Sequence, residues 1–182
     1  MVAIAIRAAE PKYVLVMGVC GVGKSTIAQE IADRVGGTFV EADDHHSAGN
    51  KQTMIGGTPL TDEQRWPWLE AVANAASDEF SQNGEPVFIA CSALKRRYRA
   101  FLREKLGSLS IVYLSGAPEL IRRRLEDRQS HFMPPRLLDS QLSDLEEPGP
   151  DEEGITVDID CDPEHLVREI CERLGLGGSH SR

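Results

Sequence analysis

The chain has 182 residues, 41% of them hydrophobic, and 20 Lys and Arg against 29 Asp and Glu give it a net charge of −9. That length suits one domain burying its core without disulfides or structural metals, and the apolar content excludes global disorder. The acidic balance excludes a general nucleic-acid binder, and apolar runs as short as 14–17 and 87–90 exclude a membrane-crossing helix.

Taken in chain order, residues 1–6 are apolar but meet Arg7 and Glu10 at once. They lack the basic start and long apolar centre of a signal peptide. Residues 12–17 read as a β-branched strand closed by Gly18. Residues 24–35 carry Ile27, Ile31 and Val35 at helical spacing and stop at Gly36-Gly37. Residues 38–40 read as a second strand, and 41–59 as a polar stretch. Thr61-Asp62-Glu63 opens a helix with Leu69, Val72, Ala76 and Phe80 on one face. Residues 86–91 form a third strand and 95–106 a basic helix ending at Gly107. Residues 109–114 form a fourth strand, and Pro118 starts a helix at its favoured first position. The pattern breaks over 128–136 and resumes as a helix over 137–145. The acidic 146–153 reads as a surface loop. A fifth strand over 155–159 and a helix over 163–174 follow, with a Gly/Ser-rich tail from 175. Alternating strands and helices predict a parallel sheet covered on both faces, in a single domain spanning 1–182. Cys20, Cys91, Cys161 and Cys171 show neither a CxxC pair nor zinc spacing and read as free thiols of a reducing cytoplasm.

The strongest chemical signal is Gly18-Val19-Cys20-Gly21-Val22-Gly23-Lys24-Ser25, followed by Thr26. It fits the phosphate-binding loop in full, between a buried strand and an amphipathic helix. Glycines let successive backbone N–H groups turn inward around phosphate oxygens, and the helix start adds its positive dipole end. Lys24 is expected to reach the β- and γ-phosphates of a nucleoside triphosphate and Ser25 to ligate Mg²⁺, with Glu41 reaching the ion through water.

Two features imitate a GTPase switch. Asp151-Glu152-Glu153-Gly154 resembles DxxG and Asn50-Lys51-Gln52-Thr53 resembles NKxD, but their order is reversed and Thr53 replaces the guanine-reading acid. A small-molecule kinase instead needs a carboxylate beside the γ-phosphate to take the acceptor's proton. The end of the second strand supplies Glu41-Ala42-Asp43-Asp44 and His45-His46, where ligands bind in open α/β sheets. Six bases lie in 95–105, and one helix cannot aim them all at a ligand.

These residues together resemble the thermoresistant, P-loop gluconokinase family. The resemblance rests on the loop 18–26, Glu41-Ala42-Asp43-Asp44 with His46, and Pro59-Leu60-Thr61-Asp62. It continues through Arg65 with Pro67-Trp68-Leu69, Cys91-Ser92-Ala93-Leu94-Lys95 with Tyr98-Arg99, Arg124, Arg128 and His131-Phe132-Met133. Leu137-Leu138-Asp139-Ser140-Gln141, Leu145-Glu146 and Val157-Asp158-Ile159-Asp160 complete it. It implies a nucleoside-monophosphate-kinase-like P-loop fold with five parallel strands and a lid at about 124–136. The implied reaction is ATP-dependent phosphorylation of D-gluconate at its 6-hydroxyl. Asp43 would be the base. His46, Arg65, Lys95, Arg97, Arg99 and His131 would hold the acceptor, and Arg124 and Arg128 would act from the lid. The loop at 160–163 would lie near adenine, and the protein would be a homodimer. Cys20 stands where serine is common in the family, leaving its backbone N–H for phosphate. Ala42, Ser47 and Thr53 also depart from the family pattern, in the acceptor region. The alternatives are a related kinase of a shikimate-like or nucleotide acceptor, and a non-catalytic nucleotide sensor.

The overall acidity conceals a division. Residues 95–136 hold 11 bases and 4 acids, net +7, while 137–182 hold 3 and 13, net −10. The basic third contains the expected acceptor and lid arginines.

Overall fold

The structure, a computed structural model, describes residues 11–127 and 135–176. Strand β1 (Tyr13–Met17) is followed by α1 (Lys24–Val35), β2 (Thr38–Glu41), a 3-10 turn (Ala42–His45) and α2 (Ala48–Ile55). Then come α3 (Asp62–Asn83), β3 (Val87–Ala90), α4 (Arg96–Leu106), β4 (Ser110–Ser115) and α5 (Pro118–Glu126). Helix α6 (Pro135–Asp144), β5 (Gly154–Asp158) and α7 (Pro163–Arg173) complete the order.

The five strands pair in parallel in the order β2-β3-β1-β4-β5, so β1 is the centre. Its side chains alternate between two cores. Val14 and Val16 face Ile31, Leu138 and Ile170; Leu15 and Met17 face Leu69, Val72 and Leu102. All five residues of β1 are buried, as expected of a strand covered on both faces. The order reverses beside β1, and the phosphate loop springs from that switch point.

Most elements begin and end within two residues of the positions their periodicity predicts. The Thr61 hydroxyl accepts from the Gln64 N–H and the Gln64 side chain accepts from the Thr61 N–H, a complete capping box for α3. The stretch read as polar, 41–59, differs: it holds the 3-10 turn and α2. Helix α2 buries no residue and so shows no apolar stripe, while the Ser47 hydroxyl caps it by accepting from the Asn50 N–H. The loop at 146–153 lies at the surface as read, but its Glu152 is buried.

Candidate active site

The loop from Gly18 to Gly23 turns the chain from β1 into α1. Gly18 has φ 142°, and a Cβ there would stand 2.8 Å from the Leu114 carbonyl oxygen. Gly21 has φ 87°, and its Cβ would stand 2.7 Å from the Leu125 side chain on α5. The loop is therefore seated against the end of β4 and against α5, and glycine alone permits both approaches. Lys24 Nζ donates to the Val19 carbonyl at 3.0 Å, folded back along its own loop. Ser25 and Thr26 are exposed in the first turn of α1. The Cys20 N–H, expected to meet phosphate, donates instead to Gln141 Oε1 at 2.7 Å. Arg124 is half-buried on α5 and donates to the Ile159 carbonyl at 2.7 Å, beside the 160–163 segment. Arg128 and the His131-Phe132-Met133 segment lie outside the described residues.

The acceptor side begins where β2 ends. The Glu41 side chain accepts from the Asp43 N–H at 3.3 Å and so caps the 3-10 turn. This turn leaves the Asp43 carboxylate 83% exposed, 3.8 Å from His46 Nε2. His46 is buried and stacked on Trp68, with ring centroids 4.2 Å apart and planes at 15°. Trp68 in turn donates its indole N–H to the Ala42 carbonyl at 2.7 Å. Trp68 thus ties α3 to the turn and holds the imidazole in place. Burial pushes the His46 pKa below its ordinary value, opposed by the charge of Asp43 and aided by those of Lys51 and Arg65. Its Nδ1 is buried without a hydrogen-bond partner.

Arg65, Lys95 and Arg97 converge around two carboxylates. Asp62 pairs with Arg97, accepts from the Tyr98 hydroxyl and lies 4.0 Å from both Lys95 Nζ and an Arg65 guanidinium nitrogen. The Tyr98 hydrogen bond, then the three cations, hold Asp62 below the ordinary carboxylate range. Asp144 at the end of α6 lies 3.2 Å from Lys95 Nζ and 3.8 Å from Arg65. Lys95, Arg96 and Arg97 also line an open cleft of about 520 Å³ together with Ala100 and Glu146.

Cys91 is fully buried just past β3, and desolvation pushes its thiol up to about 12. Lys24 follows the loop from β1 and Asp43 follows β2, the two neighbours of β3, so both stand at the carboxyl ends of adjacent parallel strands.

Arg99 is a correction. Expected among the acceptor ligands, it is wholly buried and bound to Glu152 through two parallel bonds of 2.8 and 2.7 Å. Its remaining guanidinium nitrogen donates to the carbonyls of Ala93, at 3.3 Å, and Leu94, at 3.0 Å. It cannot reach a ligand without leaving a buried carboxylate unpaired. Its work is to hold the turn before Lys95, where Ala93 takes the left-handed φ of 37°.

Among the described residues no three His, Cys, Asp or Glu side chains gather into a metal cage. One hydroxyl at Ser25 and a half-buried carboxylate at Glu41 suit a Mg²⁺ ion carried by phosphates, which keeps its waters and takes few protein ligands.

A family model described as an AAA domain matches residues 14–135. The thermoresistant gluconokinase of Escherichia coli K12 is 40% identical over 166 residues, 91% of this chain and 94% of that one. The chain belongs to the gluconokinase family. The crystal structure of a gluconokinase from Sinorhizobium meliloti superposes with a TM-score of 0.82 at 40% identity, over 91% of this chain and 92% of the other. An unliganded sugar kinase from Janibacter sp. gives 0.85 at 46% identity, over 91% and 95%. The family and the sheet order agree on a nucleoside-monophosphate-kinase-like P-loop fold.

Several residues at the site carry no chemical signal in the sequence. Asp144 reads only as a position on a helix, while Gln141 and Trp68 enter through the family resemblance with no role attached. What binds them to the site is contact over long sequence distance, which periodicity does not reveal.

Proposed function

We infer that this protein is an ATP-dependent gluconokinase, transferring the γ-phosphoryl group to the 6-hydroxyl of D-gluconate. The observation that carries the reading is the pairing of a complete phosphate loop with Asp43, His46 and three clustered cations at one sheet edge, in a chain of this family. An acceptor that is a polyol at one end and a carboxylate at the other fits both features.

Lys24 swings from the Val19 carbonyl to the phosphates, and Ser25 would hold Mg²⁺, with Glu41 reaching it through water. Bound there, Mg²⁺ would supply neutralising charge to the phosphates. Asp43 accepts the proton of the 6-hydroxyl as the new O–P bond forms and the bond to ADP breaks. His46, stacked on Trp68 and 3.8 Å from Asp43 through Nε2, lines the polyol side. Arg65, Lys95 and Arg97 take the gluconate carboxylate. Arg124, already beside 160–163, serves the nucleotide side. The enzyme works in the cytoplasm as a homodimer, which sedimentation at micromolar concentration tests.

ADP release with ATP and Mg²⁺ is measured against gluconate, other aldonates, shikimate and nucleoside monophosphates. Gluconate is expected to give the highest kcat/KM. Preference for another acceptor, or nucleotide binding with no turnover on any, would refute the reading.

A further inference from the structure

Helix α6 touches both substrate sites. Gln141 accepts the Cys20 N–H of the phosphate loop at 2.7 Å, across 121 residues of sequence. Asp144, three residues on, holds Lys95 at 3.2 Å and Arg65 at 3.8 Å. Residues three apart share a helix face, about 4.5 Å apart along the axis. The helix is rooted in the core by Leu138, which is 1% exposed, one turn before Gln141, with Leu142 and the following Leu145 packed beside it. Asp139 adds a 2.8 Å pair with Arg122 of α5, the helix against which Gly21 is seated.

We propose that Gln141 and Asp144 are positioning residues that hold the phosphate loop and the acceptor cations in one rigid frame. Gln141 acts through the Cys20 amide and Asp144 through Lys95 and Arg65; neither touches the reacting atoms. In-line transfer requires donor and acceptor oxygens aligned to a fraction of an ångström, so a frame shared by both sites governs kcat. The residue type fits this role. A carboxylate at 141 would accept the same bond but set negative charge beside the triphosphate, whereas an amide accepts without charge.

The proposal rests on the gluconokinase reading, and its test separates the two. Wild-type turnover on gluconate tests the reading alone. The variants are compared with wild type by steady-state kinetics, calorimetric ATP binding and thermal unfolding of the full chain. Gln141→Ala is expected to lower kcat about tenfold while leaving Tm nearly unchanged. Gln141→Glu keeps the acceptor at the same reach; it recovers most of kcat and weakens ATP binding severalfold, more at low salt. Asp144→Asn raises the KM for gluconate severalfold with ATP binding unaltered. Because both residues act through α6, the double variant Q141A/D144N loses less kcat/KM than the product of the single losses. Wild-type kcat in Gln141→Ala would overturn the proposal. So would losses that track Tm with no recovery in Gln141→Glu, or a double variant whose losses simply multiply.

Discussion

His46 and Arg99 meet burial in opposite ways. His46 stays neutral: burial pushes its pKa down, so the unfolded chain binds its proton more readily than the folded one. Its contribution to stability is therefore fully present above about 6.5 and is lost as pH falls toward the folded value. Chemical denaturation between pH 7.5 and 5.5 should show wild type losing stability and His46→Gln losing less; parallel curves would remove His46 from the titration. Arg99 is held in a buried pair with Glu152. Removing one partner of a buried ion pair costs about 3–5 kcal/mol because the other charge is stranded. Glu152→Gln should therefore destabilise strongly, and the ATP-binding constant of the folded fraction should not move. Asp43 differs from both, its carboxylate exposed and only distantly paired, 3.8 Å from His46. Asp43→Asn should cut kcat about 10²-fold or more with ATP affinity and Tm unchanged; near-normal turnover would unseat it as base.

At the level of elements, caps decide more than propensity. The Thr61 capping box opens α3, whose first turns carry Arg65 and Trp68, so Thr61→Ala should cost about 1 kcal/mol in urea denaturation. It should also raise the KM for gluconate through the displaced Arg65. An unchanged KM would show that the site does not depend on that end of α3. The same helix shows how far the sequence was legible. Its start was visible because Thr61, Asp62 and Glu63 precede a clean apolar stripe, and α1 was visible between a glycine loop and a glycine pair. Helix α2 was not, because it packs no apolar face and exists through one Ser47 cap and a few local bonds. The phosphate loop and Asp43 were legible because spacing alone dictates their chemistry. Arg99 was misread because charge was weighed above period: it shares a stripe with Leu102, a buried position on α4. The Gln141–Cys20 and Glu152–Arg99 bonds join residues far apart in sequence, and no local pattern could have announced them.

Across the whole molecule, the alternation of β1 makes two cores from one strand. Val14 and Val16 belong to the side with α1, α6 and α7; Leu15 and Met17 belong to the side with α3 and α4. The proposed sites divide the same way, the nucleotide loop leading into α1 and the proposed acceptor cations Arg65 and Arg97 standing on α3 and α4. A shared central sheet predicts that neither core survives without the other, so the chain should unfold as one cooperative domain. Both tryptophans, Trp66 and Trp68, lie on α3, so their fluorescence reports one side only. Ile31 is fully buried on the other side. Ile31→Ala should cost about 2–5 kcal/mol through lost contacts and the cavity left behind. If the sheet couples the cores, the tryptophan transition of this variant shifts by the full amount and coincides with the transition seen by far-ultraviolet circular dichroism. If the tryptophan midpoint stays at the wild-type value while circular dichroism shows an earlier loss, the cores unfold separately, and fixed geometry between the two sites would have to come from α6 alone.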